Sequence, residues 1–288
     1  MLMSGVNKYQ GRRAVLTTMH RKEAAIAPPL QNKLRLKVEV NRGINTDVLG
    51  TFTREVAREK DMLATAIEKA RIGMKQSRQS LGISSEGSFG PHPSIPLLGI
   101  NRELIVFVDD ERHIVVHELV TTEDTNFSSA AVSPDEDVSE FLRAAQFPDH
   151  AVVISPHESL DYRPTFKGIR ERTVLHGLIR RCADASSDGK ALLQTDMRAN
   201  FNPTRMKVIA TCADKLADRL RSECPECLEV GWGIVDIERG LPCDFCGEAT
   251  KAVKFEIWGC VRCTYREKRF RLDGRSSSVQ QHCDSCNP

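Results

Sequence analysis

The chain has 288 residues, of which 41 are Lys or Arg and 39 Asp or Glu; 40% are hydrophobic and 28% charged. A net charge of +2 gives no general attraction to nucleic acid or to an anionic membrane. No apolar run reaches the ~18 residues of a membrane span, and residues 1–10 lack the apolar block of a secretory signal, so a cytoplasmic protein without membrane contact is expected.

In chain order, residues 13–18 read as a short buried strand and residues 19–27 as the start of a helix that Pro28 and Pro29 interrupt. Between them stand His20, Arg21 and Lys22, where backbone N–H groups and cationic side chains can hold phosphate, or where a basic turn is simply solvated. Residues 36–40 alternate and read as a second strand, followed by a polar segment, 43–53, that contains Asp47. Residues 60–76 form the clearest early helix. Leu63, Ile67, Ala70 and Met74 recur at helical spacing, and Asp61, Glu68, Lys69 and Arg71 lie on the other face.

The stretch 81–93 runs from an apolar strand ending at Ile83 into Ser84, Ser85 and Glu86, with Gly87 and Gly90 behind them. Glycines let a backbone turn or approach a ligand closely, so Glu86 is expected at a strand end, in a site or in a plain surface turn. His92, between two prolines, is a rigid loop residue or a proton donor. Residues 104–108 and 114–120 read as a hairpin joined by the charged turn that begins at Asp109.

Ser133 and Glu136 have capping-box spacing with Pro134 at the first helical position, which predicts a helix to about residue 146. Residues 151–154 are a buried strand, 166–185 a helix, 186–189 a turn and 191–195 a strand. Asn202-Pro203 then opens a helix to residue 221 with Met206, Ile209, Ala213, Leu216 and Leu220 on one face. This order predicts an α/β unit, a mixed sheet flanked by helices, over residues 1–222.

Pieces of residues 12–210 resemble the inosine triphosphate pyrophosphatase-like superfamily. Its opening Thr-x-Asn-x-x-Lys is similar to Thr18-Met19-His20-Arg21-Lys22, with His for Asn and one residue fewer. Its Glu-Asn-Ala-x-x-Lys-Ala helix is matched at Ala66, Lys69 and Ala70 without the acid that helps hold magnesium. An acid followed by Gly is matched by Glu86-Gly87, and Asn-x-x-Ser-His-Arg by Asn200 and Arg205. The resemblance implies a magnesium-dependent hydrolase of a phosphorylated nucleotide. The chain as a whole resembles a bacterial family with no assigned activity to borrow.

Physical chemistry divides the roles by charge. Lys22 and Lys69 hold phosphate, and Glu86 with Asp109 or Asp61 holds magnesium. Thr18, His20, Ser85, Asp196, Arg198, Asn200 and Arg205 contact the ligand, with Asp196 and Arg198 equally readable as a strand-end salt bridge. Glu86 and Arg205 are expected to face one pocket.

The last part of the chain, residues 223–288, is a separate question. No cysteine precedes Cys182, and eight fall after residue 222 as four Cys-x-x-Cys pairs. Cys224/Cys227, Cys243/Cys246, Cys260/Cys263 and Cys283/Cys286 supply thiolates for two closed, structural four-cysteine zinc sites in a small β-rich ribbon domain. Strands at 231–237, 252–258 and 265–271 would form an antiparallel meander. Its alternate ends would pair the first knuckle with the third and the second with the fourth, with nested or sequential pairing left open because spacing does not fix connectivity. Cys182 and Cys212 read as core thiols. Residues 262–275 carry six cations with Trp258, Tyr265 and Phe270 in or beside them, a place for nucleic acid or merely the ribbon's own packing. The alternative to the hydrolase is therefore a non-enzymatic zinc-ribbon protein that binds a nucleotide, nucleic acid or a protein partner.

Overall fold

The computed structural model describes residues 7–41, 43, 61–91, 99–158 and 164–287; Asp47 and His92 lie outside them. A mixed five-stranded sheet has the order β2-β1-β3-β4-β5. Its strands are β1 (Arg13–Thr17), β2 (Lys37–Asn41), β3 (Leu81–Pro91), β4 (Gly99–Asp109) and β5 (Ile114–Thr122). β2, β1 and β3 are parallel, and β3, β4 and β5 are antiparallel, so the expected mixed sheet and the hairpin across Asp109 are both present.

Helix α2 (Met62–Ser77) covers one face of this sheet, packing Ala66, Ala70 and Met74 on Val15, Leu104, Val106 and Val108. Helices α1 (Glu23–Leu34) and α5 (Pro203–Arg221) cover the other, around Leu16, Ile83, Ile105 and Phe107. α5 matches its expected bounds and face. Asn202 caps it by accepting the Arg205 N–H at 2.9 Å. α1 departs from expectation, because it runs straight through Pro28 and Pro29. The prolines remove two backbone donors, but Ile26, Leu30 and Leu34 bury completely on the same stripe, and that burial outweighs the loss.

A second, antiparallel sheet has the order β6-β9-β7-β8, from β6 (Ser129–Val132), β7 (Val152–Pro156), β8 (Phe166–Ile169) and β9 (Ala191–Thr195). It has its own core with α3 (Ser139–Ala144) and α4 (Arg172–Asp184). Two expectations fail here. Ser133 N–H does donate to the Glu136 carboxylate at 2.9 Å, yet the helix starts only at Ser139, so the capping residues close a turn of their own. Residues 166–169, read as helix, form β8, because β7 offers an edge to pair with, and the helix begins at Arg172.

The C-terminal β-rich region is a meander, as expected, of β10 (Gly233–Arg239), β11 (Val253–Gly259) and β12 (Arg266–Phe270). Among the described residues no helix is long and apolar enough to cross a membrane.

Close approach of α2 to the sheet depends on two glycines. A Cβ on Gly73 would lie 1.8 Å from the Thr17 hydroxyl, and one on Gly82 would lie 2.5 Å from the Met74 side chain. The Thr17 contact is rigid and the Met74 contact can yield. Gly73→Ala is therefore expected to cost about 1–3 kcal/mol by overpacking, with a smaller loss for Gly82→Ala. Urea denaturation of both variants checks the order.

Candidate functional site

β1 pairs with β3 only from Val15↔Gly82 to Thr17↔Ser84 and then turns away, while β3 continues seven residues to Pro91 with β4 beside it. The sequence expectation that Glu86 ends a strand in a glycine turn is corrected. Residues 84–90 are strand, because an eleven-residue β4 is available to pair with them. Strand alternation then decides which side chains meet. Glu86, opposite Leu104, points to the face of α2. Ser85, Gly87 and Phe89, opposite Ile105, Glu103 and Asn101, point to the face of α1 and α5.

On the α2 face the Lys69 ammonium donates to Glu86 at 2.5 Å and lies 3.5 Å from the Ser85 carbonyl, and both side chains are buried. On the other face Arg205 donates through Nε to Glu103 at 2.6 Å and through a terminal nitrogen to the Met197 carbonyl at 2.5 Å. Both side chains of that pair are 0% exposed, and the guanidinium lies 5.1 Å from the centre of the Phe89 ring. Gly87 makes the arrangement possible. A Cβ there would stand 2.3 Å from Arg205 and 2.8 Å from Glu103.

Lys22 is the remaining cation. It precedes α1, is 6% exposed, and donates to the Ser85 hydroxyl at 3.2 Å. Among the described residues it makes no ion pair. Burial first, then the Arg205 charge, push its ammonium down to about 7 from 10.5, with Glu103 pulling the other way and Lys69 and Glu86 acting more weakly. His20 and Arg21, just before it, hold left-handed backbone conformations that turn the chain out of β1.

Glu86 and Arg205, expected in one pocket, thus occupy opposite faces of β3. Asp109 lies opposite Leu81, five residues from Glu86 or about 16 Å along the strand, on the Arg205 face. Its carboxylate is buried against the Tyr9 hydroxyl at 3.2 Å and the backbone N–H groups of Glu111 and Arg112 at 3.0 Å. Asp61 caps α2, accepting the Ala64 N–H at 2.8 Å, about 12 Å along the helix from Lys69. Neither acid joins Glu86. Among the described residues the groups able to surround one ion are the two cysteine clusters and the trio His157, Glu158 and Asp188.

Asp196 takes the Arg198 backbone N–H at 3.0 Å, its side chain at 3.0, 3.2 and 2.7 Å, and the Gly168 N–H at 3.0 Å, an ion pair just past the end of β9. Thr18 is buried and donates to the Met19 carbonyl at 3.0 Å. The Asn200 side-chain oxygen is buried without a partner. Two residues that sequence reasoning passed over belong to the site, Glu103 and Asn101. Both fall on the face that continues as Ile105 and Phe107, and a polar residue in that apolar register was the available signal.

In the C-terminal region Cys224, Cys227, Cys260 and Cys263 gather in one cluster, and Cys243, Cys246, Cys283 and Cys286 in the other, the interleaved pairing. Within each cluster the sulfurs lie within 4.8 Å of one another, with two pairs in each at 3.5–3.9 Å. A tetrahedron with Zn–S bonds of about 2.3 Å has edges of about 3.8 Å, so both clusters fit zinc, whereas a disulfide would need about 2.05 Å. Burial works to raise the Cys260 thiol, but the N–H groups of Cys263 and Arg262 and the neighbouring thiols bring it to about 7. The first cluster is tied to the main sheet through Glu229, 2% exposed, which accepts from Arg262 at 2.8 Å and from Arg112 at 3.3 Å.

Trp232, Trp258 and Tyr265 pack around the same cluster, while Phe270 is 70% exposed. The six cations of residues 262–275 already have partners. Arg262, Lys268, Arg269, Arg271 and Arg275 face carboxylates, and Arg266 faces backbone carbonyls. Cys182 and Cys212 are buried core thiols, as expected.

Residues 69–288 match a family described as Domain of unknown function (DUF6671). A search of curated proteins gave no match.

Two predictions follow from charge and metal. Glu103→Gln leaves Arg205 buried without its counter-charge and is expected to cost about 3–5 kcal/mol in denaturant melts, with much of that recovered in the apolar double variant Glu103→Leu/Arg205→Met. Elemental analysis of reduced, folded protein is expected to find two zinc ions per chain; one or none contradicts the closed four-thiolate reading.

Proposed function

We propose that this chain, which belongs to the domain-of-unknown-function family DUF6671 over residues 69–288, binds a phosphorylated ligand of the nucleotide class at the point where β1 leaves β3. An α/β unit to residue 222 holds the ligand, and a ribbon unit from residue 223 is held together by two structural zinc ions. The observation that carries the reading is Lys22. A buried ammonium without an ion pair among the described residues, its ionisation held near neutrality, is an expensive group to keep unless an anion completes it. It sits past the carboxyl ends of parallel strands, where open α/β sheets gather ligands. The resemblance to the pyrophosphatase-like superfamily adds the nucleotide to the phosphate.

Magnesium-dependent hydrolysis is the finer version of this proposal. It requires Glu86 to exchange Lys69 for a metal when ligand enters, since among the described residues no second carboxylate gathers with it. Nucleic acid on residues 262–275 has less support, because each cation there already has a partner.

The test is a panel of nucleoside mono-, di- and triphosphates and inorganic phosphates, with and without magnesium, read by calorimetry and by phosphate and pyrophosphate release. At least one compound should bind, and Lys22→Met should weaken it tenfold or more. A panel that binds nothing, or a variant that binds equally well, removes the reading. Magnesium-dependent release abolished by Glu86→Gln identifies the hydrolase version.

The pH dependence has a definite sign. An anion needs Lys22 charged, so affinity should be highest below about pH 7 and fall above it. Stability runs the other way. The folded value lies below the unfolded one, so the unfolded chain binds more protons between about 7 and 10.5, and stability rises across that window. Lys22→Met is therefore expected to raise the melting temperature at pH 6 by several degrees, with the gain vanishing toward pH 10.5.

A further inference from the structure

Asn101 is 1% exposed, and neither its side-chain oxygen nor its nitrogen has a hydrogen-bond partner. Leaving a buried amide wholly unsatisfied costs about 1–3 kcal/mol per group, and Leu would fill the same place without that cost. The position of the amide supplies a reason for keeping it. Asn101 stands directly opposite Phe89 and two residues from Glu103, on the face of β3 and β4 that carries Arg205 and Lys22.

Above this face lies the seam with the second sheet. Phe127, in the segment leading into β6, stacks on Phe89 with ring centres 6.0 Å apart and planes at 26°. Asn126 beside it accepts from the Asn202 side chain at 2.8 Å, and Gly99, at the start of β4, has Phe127 and Thr125 as its nearest neighbours. A flat aromatic surface and an amide with one free acceptor and free donors therefore share one end of the face. Lys22 and Ser85 share the other, four strand residues or about 13 Å away.

We infer that Asn101 reads the hydrogen-bonding edge of a nucleobase that stacks on Phe89 in the seam between the two sheets. The inference rests on the phosphate reading of Lys22, and it names the other half of the ligand. A nucleobase presents adjacent donors and acceptors in one plane, the pattern that a carboxamide matches with two hydrogen bonds, as Asn does with adenine. Its ring replaces the Phe127 contact on Phe89, a sequence-tolerant stacking surface. The spacing between the two ends suits a base joined through ribose to a phosphate chain. Arg205 is spent on Glu103 and the Met197 carbonyl, so base recognition falls to Asn101 on β4. Because the Asn101 amide is itself buried, a ligand lacking the matching edge leaves it unpaired, so discrimination is steep.

The experiment uses the full, zinc-loaded chain and compares ATP, GTP, CTP and UTP with inorganic triphosphate, the same anion without a base. At least one nucleotide is expected to bind tenfold or more tightly than inorganic triphosphate. Asn101→Leu should reduce that nucleotide to the level of inorganic triphosphate, leave inorganic triphosphate unchanged, and not lower the melting temperature. Asn101→Asp, which keeps the shape but loses the donors, should change which base is preferred. Inorganic triphosphate binding as tightly as every nucleotide, or Asn101→Leu keeping the preference, overturns the inference and leaves the phosphate reading standing. Variants that both lose the fold make the amide a structural group and overturn it as well. Failure of every phosphate compound to bind removes the phosphate reading, and the inference with it.

Discussion

A difference in strand length governs the α/β part of this protein. β1 has five residues and β3 eleven, so at one end β3 is flanked on both sides, by parallel β1 and antiparallel β4, and at the other it keeps only β4, with β5 beyond it. Where the neighbour stops, the chain must leave the sheet, and it does so through the left-handed residues His20 and Arg21. That exit drops Lys22 against Ser85, on the buried α1 and α5 face of β3. The N-terminus of α5 reaches the same place from the second sheet and brings Arg205. No single motif builds the site; it is what collects around a strand that outlasts its partner.

The electrostatics there follow from alternation. Three buried cations, Lys22, Lys69 and Arg205, are set against two buried carboxylates, Glu86 and Glu103, and the strand keeps one cation–carboxylate pair on each face. Buried pairs of this kind add little net stability compared with apolar substitutes, but losing one partner is costly. They therefore fix register more than they strengthen the fold. β3 cannot slip by one residue without putting Glu86 and Gly87 on the wrong sides, with Gly87 no longer making room for Arg205.

Much of the architecture was legible in residue patterns, and the failures have a common cause. α5 carries its own cap and a complete apolar stripe, so it is determined locally. The cysteine pairing was readable because a three-stranded meander returns the chain to alternate ends, whatever the residues between. By contrast, residues 84–90 look like a turn until β4 is known to be long enough to pair with them. Residues 166–169 look helical until β7 offers an edge, and Pro28 and Pro29 look like breakers until Ile26 and Leu30 are seen to bury on both sides. In each case a partner distant in sequence overrides local preference. Glu103 and Asn101 went unseen for the same reason, because their significance lies in which face they share and not in any neighbour along the chain.

The interleaved cysteine clusters have a topological consequence. One closes the chain between residues 39 apart at its widest and the other between residues 43 apart, and each loop contains a knuckle of the other. Neither ligand set is local, so neither assembles without ordering strands that the other also needs. If zinc fills both clusters, the first ion to arrive would bear most of the chain-ordering entropy, and the second would meet a half-built socket in which the remaining loop is effectively shorter. Occupancy is thus a property of the pair. The half-loaded form would then be the scarce species, and the ribbon, together with its Glu229 tie to the main sheet, would behave as one all-or-none unit.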